Sequence, residues 1–445
     1  MRILIGVIGT GGDLYPCITL AKGLQARGHE VIIISGQAYR EAVEAAGVLF
    51  HGTGLDAANI RTSQITDARP LTTKEILQDV AERMVNLPFA PLLDAVQALV
   101  NDDTLLMYNL GLQLAGGSAS EKFNLPAIHI DLAPIGLQSN AEPPRVSADD
   151  VLYKIPTFLR KMGIVTFLTN TVGRAYFKPL DKWRVQYGLP KIPVCRRYEY
   201  INSFDMPERK QILCLFPEWF AKPIHNWSAN RLPYDLPLQI IKTTGFMLPQ
   251  QASHQTLSLE VKAFLEKYPR PVLFTFGTGM LWDGMKDFFQ VSVNACQQLN
   301  LPVILLSRNS NDFPADLPAN VLCVNFLGLE TLLPQVGLIV YHGGVGTMAC
   351  ALAAQVPHLV VPFRHDQFDN ATRICNLGVG DELATTDYTV ENLANKIAAR
   401  LKDAKQNPEK YTRLAELTQQ SGGAHAVEKA CDFVEKFYRE YKQKT

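Results

Sequence analysis

Two groups of polar residues in the C-terminal half of the chain suit recognition of a phosphorylated, hydroxyl-rich molecule. In the first group, an apolar segment ending at Tyr341 runs into residues 342–347, which read His-Gly-Gly-Val-Gly-Thr and open a helical pattern. Free backbone N–H groups and the positive end of a helix dipole stabilise an anion at such a turn. The side chains of His342 and Thr347 offer further donors, although a histidine here can also be purely structural. We therefore expect a phosphate-binding turn at 342–347.

The second group, Asp366 and Gln367, follows the next apolar segment, 359–361. A carboxylate accepts hydrogen bonds from two hydroxyl groups and a neighbouring amide both donates and accepts, so the pair suits a sugar ring. Asn370 is either a further ligand or the cap of the next helix. The alternative for the whole loop is a solvated turn, which its closeness to the phosphate-binding turn disfavours.

A glycine-rich loop at 276–280 follows the first strand pattern of the same half of the chain. Gly277 and Gly279 have no Cβ atom, so the backbone N–H groups of this loop can approach an anion. This loop is therefore a second candidate for phosphate contact. The alternative is a tight turn that binds no ligand.

Asp13 follows the first strand pattern and the turn 9–12, which reads Gly-Thr-Gly-Gly. Two interpretations of Asp13 stay open: the N-cap of a helix over 14–27, or a carboxylate that takes a proton from an acceptor hydroxyl. The turn does not match a dinucleotide fingerprint, because Leu14 stands where the third glycine is required and no acidic residue ends the second strand. A nicotinamide-dependent oxidoreductase is therefore disfavoured.

Alternating strand and helix patterns divide the chain into two α/β halves, and a proline-rich segment at 217–249 predicts the connection between them. Helical segments separate the strands, so we expect parallel sheets with right-handed crossovers. A helical pattern with an apolar stripe ends the chain at 426–441. The predicted strands lie at 2–8, 30–34, 105–109, 127–131, 271–276, 303–307, 321–324, 338–341 and 359–361.

The bulk composition is that of a globular protein without nucleic-acid partners. Of 445 residues, 47% are apolar and 19% are charged, and the formal net charge is zero. These values exclude a chain that is disordered throughout, and they show no excess of positive charge of the kind that nucleic-acid-binding proteins carry. The eight cysteines are scattered, which disfavours a disulfide framework or zinc site and fits a cytoplasmic location. We find neither a signal peptide nor an uncharged apolar run long enough to span a membrane.

A basic region at 154–197 contains ten Lys or Arg residues and a single acidic residue, Asp181. Aromatic and aliphatic residues interleave with these charges. The first interpretation is a solvated helical face, because the charges are spread out rather than clustered. The alternative is weak peripheral contact with an anionic membrane surface.

Taken together, these motifs resemble the GT-B glycosyltransferases of family 1. The resemblance is to the bacterial and fungal branch that contains sterol glucosyltransferases, antibiotic glucosyltransferases and the rhamnosyltransferases of rhamnolipid synthesis. It spans nearly the whole chain, and the 342–370 block is its most specific part. The matching segments are 9–16, 27–31, 216–220, 244–246, 276–278 and 342–370.

The resemblance implies an α/β protein of the GT-B fold, in which two Rossmann-like domains with parallel sheets face each other across a cleft. Residues 1–235 would form the acceptor-binding domain, 236–424 the donor-binding domain, and 425–445 a helix that packs back on the first domain. Asp13 would be the catalytic base. The first loop, formed by Thr10, Gly11 and Gly12, would face the acceptor. The donor would contact Gly277, Thr278, Phe326, Leu327, His342, Gly344, Gly346, Thr347, Asp366 and Gln367.

The function implied is inverting, metal-independent transfer of a sugar, in the first instance glucose from UDP-glucose, to a hydroxyl of a small lipophilic acceptor. No cofactor is expected beyond this co-substrate, and no Asp-x-Asp motif lies near the donor block. Alternatives are a dTDP-sugar (rhamnosyl) transferase that makes a glycolipid, an epimerase, and a nucleotide-sugar sensor. The chain departs from plant members, which stack a tryptophan where Phe326-Leu327-Gly328 stands, and from relatives with a histidine base. We expect a monomer or a weak dimer.

Overall fold

The structure is a computed structural model of the chain. It describes residues 1–54, 85–136, 145, 155–156, 158–159, 174–197, 210–222, 241–248, 257–277, 285–325 and 327–445. Within these residues, two parallel sheets are each flanked by helices, as the sequence predicts. None of the described helices is both long and apolar enough to cross a membrane.

The first sheet has seven parallel strands in the order β3-β2-β1-β4-β5-β6-β7. The central strands of this sheet are nearly continuous apolar runs, as expected for a parallel sheet with both faces covered by helices, whereas β3, β6 and β7 include polar residues. Ile3 and Ile5 of β1 pack on one face, and Leu4 packs on the other. The strands are β1 (Arg2–Gly6), β2 (Glu30–Gly36), β3 (Leu49–Thr53), β4 (Thr104–Asn109), β5 (Ala127–Asp131), β6 (Lys210–Cys214) and β7 (Ile241–Thr243).

The helices described in this half precede or follow those strands along the chain. They are α1 (Gly11–Ala26), α2 (Arg40–Ala45), α3 (Phe89–Leu99), α4 (Gln113–Lys122) and α5 (Arg174–Gln186). The last strand, β7, pairs with β6 and lies on the C-terminal side of the predicted boundary between residues 235 and 236. The first sheet therefore extends past that boundary, and its last strand lies within the segment 217–249 that the prolines predict as the connection.

The second sheet has six parallel strands in the order β10-β9-β8-β11-β12-β13. The strands are β8 (Val272–Thr275), β9 (Val303–Leu306), β10 (Val321–Val324), β11 (Leu338–Tyr341), β12 (His358–Val360) and β13 (Gly380–Glu382). The helices are α6 (Leu259–Lys267), α7 (Met285–Gln298), α8 (Leu329–Leu332), α9 (Val345–Ala353), α10 (Gln367–Asn376), α11 (Val390–Gln406), α12 (Pro408–Ser421) and α13 (Gly423–Lys444).

The last helix, α13, packs on α1 of the first half of the chain. Val427 and Val434 of α13 share a buried cluster with Leu20 and Leu24 of α1. At the end of α1, Arg27 donates hydrogen bonds to the carboxylates of Asp432 and Glu435 at 2.7 and 2.9 Å. Burial of the apolar stripe, more than these partly exposed ion pairs, stabilises this contact.

Candidate active site

The phosphate-binding turn lies where β11 ends and α9 begins. Gly343 has a φ of 94°, a conformation that residues with a Cβ atom rarely adopt. The ring of His342 lies between two glycines. A Cβ atom on Gly277 would come within 2.5 Å of its Cε1, and one on Gly344 within 2.5 Å of its Nε2. The loops after β8 and β11 therefore meet around this imidazole, and only glycine fits on either side of it.

His342 is neutral at physiological pH. Its Nδ1 atom is buried and has no hydrogen-bond partner among the described residues. Burial lowers the pKa of the imidazole to about 4, because the charged form loses hydration. A neutral ring donates one hydrogen bond, so His342 can contribute a donor to a phosphate but not a positive charge.

Asp366 and Asn370 connect the loop after β12 to the phosphate-binding turn. The Nδ2 group of Asn370 donates to the backbone oxygen of Gly343 at 2.9 Å and to the Asp366 carboxylate at 2.8 Å. Burial, with a smaller contribution from the charge of Asp13, raises the pKa of Asp366 to about 7. Asp366 of the second domain is therefore within electrostatic reach of Asp13 of the first.

Gln367 has a narrower role than the sequence predicts. Its side-chain oxygen accepts hydrogen bonds from the backbone N–H groups of Phe363 and Arg364 at 2.8 and 3.0 Å. This oxygen caps the turn that leads into α10. Only the Nε2 group of the amide remains to contact a sugar hydroxyl, which corrects the expectation that the amide both donates and accepts.

Asp13 does not cap α1. Thr10 is the N-cap, and helix α1 begins at Gly11 rather than at residue 14. The Asp13 carboxylate accepts a hydrogen bond from the backbone N–H of Thr10 at 2.8 Å, and so completes a capping box. This contact orients the half-buried carboxylate without removing it from the cleft.

The carboxylate of Asp13 suits a general base. Burial raises its pKa to about 6, although hydrogen bonds from Thr10 and Asn109 act in the opposite direction. At neutral pH the group is mostly ionised, and its pKa lies closer to the working pH than that of an exposed aspartate.

Asn109, which the sequence-based reasoning missed, supports Asp13 from β4. Its Nδ2 group donates to the backbone oxygen of Ile8 at 2.7 Å, and its oxygen accepts from the N–H of Ile8 at 3.2 Å. The same Nδ2 group lies 3.5 Å from the second carboxylate oxygen of Asp13. The one available signal was a polar residue at the end of an otherwise apolar strand beside β1.

Comparison with known proteins identifies the class of this site. A family model described as glycosyltransferase family 28 N-terminal domain matches residues 3–86. A second model, erythromycin biosynthesis protein CIII-like C-terminal domain, matches residues 293–423. Glycosyltransferase GtfC of Amycolatopsis orientalis is 25% identical over 445 residues, covering 98% of each chain. The chain is a glycosyltransferase of the GT-B fold.

Other relatives of this glycosyltransferase agree with that assignment. Sterol 3-beta-glucosyltransferase of Saccharomyces cerevisiae (strain YJM789) is 24% identical over 409 residues, which cover 88% of this chain and 31% of the yeast protein. The crystal structure of the glycosyltransferase of kitacinnamycin has a TM-score of 0.69 at 20% identity, covering 98% of this chain and 99% of that one. Spinosyn rhamnosyltransferase SpnG complexed with thymidine diphosphate has a TM-score of 0.65 at 18% identity, covering 98% and 99%.

The remaining predicted residues of the glycosyltransferase are only partly described. Thr278 and Phe326 lie outside the described residues. Leu327 is half-buried and packs against the core of the second domain. Gly346 and Thr347 lie in the first turn of α9, on the side of the phosphate-binding turn. In the described part of the chain, no group of three or more His, Cys, Asp or Glu residues is arranged to hold a metal ion.

Proposed function

We propose that this glycosyltransferase transfers a hexosyl group from a nucleoside diphosphate sugar, in the first instance UDP-glucose, to a hydroxyl of a small lipophilic acceptor. Transfer would proceed with inversion and without a metal ion. The observation that carries the proposal is the placement of two carboxyl groups. Asp13 is held by Thr10 and Asn109 in the first domain, and Asp366 is linked through Asn370 to the phosphate-binding turn of the second. In the proposed reaction, Asp13 is the base and Asp366 binds the sugar.

In the proposed reaction, the acceptor oxygen forms a bond to the anomeric carbon from the face opposite the diphosphate. The bond from that carbon to the diphosphate oxygen breaks with its electron pair, and the acceptor proton passes to Asp13. Asp366 and the Nε2 group of Gln367 would hold sugar hydroxyls. The N–H groups of the phosphate-binding turn and the dipole of α9 would stabilise the leaving group.

The names of relatives support a lipophilic acceptor, since they include sterol 3-beta-glucosyltransferases. A dTDP-sugar donor is the second candidate, because structural neighbours are described in complex with thymidine diphosphate or dTDP.

The basic region supports weak peripheral membrane contact: Lys178, Lys182 and Val185 are exposed along α5. Sedimentation with vesicles that contain anionic lipid tests this contact. Binding that does not depend on anionic lipid would contradict it.

The test of function compares wild type with Asp13→Asn in the presence of UDP-glucose or dTDP-rhamnose and a sterol acceptor. We expect kcat to fall by about 10²–10⁴ in the variant while donor affinity persists. Asp102→Asn is the matched control, because Asp102 is exposed at the other end of the sheet. Full activity of Asp13→Asn would refute the assignment of the base. NMR of the product reports whether the anomeric configuration is inverted.

A further inference from the structure

The described residues that are expected to contact the donor supply many hydrogen-bond donors, but none of them is a lysine or an arginine. His342 is neutral, and Gly277, Gly344 and Gly346 contribute backbone groups alone. A nucleoside diphosphate sugar is an anion, and its diphosphate gains one more negative charge when the bond to the sugar breaks. A fixed cation at this edge of the sheet would stabilise that charge beyond what the backbone N–H groups and the α9 dipole supply.

Arg308 follows β9, the strand next to β8, while the phosphate-binding turn follows β11 on the other side of β8. Thr275 at the end of β8 pairs with Leu306 of β9 on one side and with Tyr341 of β11 on the other. Arg308, Gly277 and Gly343 each lie two residues beyond these paired positions. Neighbouring parallel strands are about 4.8 Å apart, so the backbone of Arg308 lies one strand away from Gly277 at the carboxyl edge of the sheet.

The loop that carries Arg308 is braced by its own side chains. Ser307 donates a hydrogen bond to Asp312, and the Nδ2 group of Asn309 donates to the same carboxylate at 3.0 Å. The oxygen of Asn309 accepts from the backbone N–H of Asn311 at 3.2 Å. These bonds fix the backbone at the base of the Arg308 side chain, so the guanidinium extends from a rigid support.

The guanidinium of Arg308 reaches across the cleft to the first domain. Its Nη2 group lies 3.5 Å from the hydroxyl of Tyr15, which belongs to α1, two residues beyond Asp13. Tyr15 is 48% exposed, so this contact lies at the open side of the cleft. The guanidinium therefore contacts the same helix that carries Asp13, from a loop at the carboxyl edge of the second sheet.

We propose that Arg308 is a further donor-binding and catalytic residue, whose guanidinium binds the diphosphate and stabilises it as a leaving group. Tyr15 is a positioning residue that directs the guanidinium over the cleft. As the acceptor oxygen bonds to the anomeric carbon, the electron pair of the breaking bond moves to the diphosphate oxygen, and Arg308 faces the resulting charge. The assignment rests on the proposed use of a nucleoside diphosphate sugar.

The experiment is calorimetric titration of UDP, dTDP, UMP and dTMP into wild type, Arg308→Gln and Arg308→Lys. We expect Arg308→Gln to weaken binding of the preferred diphosphate about 10- to 100-fold and of the matching monophosphate much less, because a hydrogen bond to a charged group is lost. Lysine should restore part of the affinity, since it keeps the charge but not the planar fork. The salt dependence of diphosphate binding should become weaker in Arg308→Gln.

Arg413→Gln is the matched control. Arg413 is exposed on α12. Its neighbour Thr412 contacts Gln355, which lies beyond the C-terminal end of α9, whereas the phosphate-binding turn is at the N-terminal end of that helix. The Arg413→Gln variant should therefore bind nucleotides as tightly as wild type. Unchanged diphosphate affinity in Arg308→Gln, or equal losses for mono- and diphosphates, would overturn the Arg308 assignment alone. If wild type binds neither diphosphate, the proposed function fails together with it.

Tyr15→Phe should preserve the melting temperature and lower kcat several-fold; wild-type kcat would overturn the positioning role of Tyr15.

Discussion

The side-chain amide of Asn109 donates a hydrogen bond to the carboxylate of Asp13 over 3.5 Å, although 96 positions separate the two residues in sequence. Asn109 is itself immobilised, because both ends of its amide bond to the backbone of Ile8 and its side chain is almost fully buried. The carboxylate of Asp13, the proposed base, is therefore held from two sides, by Thr10 at the start of its own helix and by a neighbouring strand. Such support limits the rotation of the base before the acceptor arrives.

Asn109→Ala should impair catalysis through Asp13. The N–H group of Asn109 stabilises the ionised carboxylate, so its loss should raise the pKa of Asp13 and lower kcat about tenfold. The acid limb of the rate profile should move to higher pH in the variant, a shift that simple loss of stability would not produce. Unchanged kcat with an unmoved acid limb would show that Asn109 supports only the backbone of Ile8.

The pH dependence of wild-type activity should report the buried state of Asp13. Burial raises the pKa of this carboxyl to about 6, and a protonated carboxyl cannot accept the proton of the acceptor. We expect kcat/KM to rise with pH between about 6 and 7, where first Asp13 and then Asp366 lose their protons, and to level off above that range. Measurement between pH 4.5 and 8.5 checks this. An acid limb near 4, the ordinary value of an exposed aspartate, would contradict the burial of the base.

Nine strands of the two sheets were predictable because they are short apolar runs, most of them buried on both faces, whereas β3, β6, β7 and β13 were not predicted. Thr104–Asn109, Val321–Val324 and Leu338–Tyr341 read as short apolar runs bounded by turn residues, and the predicted positions agree within one residue at each end. The glycine turn after β11 was also predictable, because glycine permits the backbone conformation that the turn requires and this preference is local. Local patterns thus sufficed for these nine strands and for the position of the glycine turn after β11, but not for the short or polar strands β3, β6, β7 and β13.

The interactions that refine the site depend on long-range pairing, which no local pattern shows. Asn109 meets Asp13 only because β4 pairs with β1, and β7 joins the first sheet only because the edge of β6 is available. The cap formed by Gln367 depends on the backbone path of its loop. There, His365 adopts a φ of 57°, a value that its residue type does not predict.

Substitutions of Gln367 should separate its two roles. Gln367→Glu keeps an oxygen for the N–H groups of Phe363 and Arg364 but loses the amide donor, whereas Gln367→Ala loses both. We expect both variants to bind donor more weakly. Only the alanine variant should lose about 1–3 kcal/mol of stability, because buried N–H groups are left unsatisfied. Urea unfolding and donor KM give the two readouts, and equal loss of stability in both variants would contradict the capping role.

The close approach of α13 to α1 depends on Gly23. A Cβ atom there would lie 2.3 Å from Cγ1 of Val427 and 3.1 Å from Sγ of Cys431, both on α13. Gly23→Ala should therefore lower the free energy of unfolding by about 1–3 kcal/mol, as overpacking does elsewhere. Lys22→Ala, at the exposed neighbouring position, is the control and should change stability little.

Adding Val427→Ala to Gly23→Ala should recover part of the lost stability, because it removes the methyl group that the new Cβ atom meets. Val427→Ala alone should destabilise the protein, since its side chain belongs to the buried cluster between the helices. The double variant should therefore be more stable than the sum of the two single changes predicts. If the stability changes of the two single variants simply add, α13 shifts away from α1 in Gly23→Ala. In that case protease cleavage within 423–444 would increase in the Gly23→Ala variant alone.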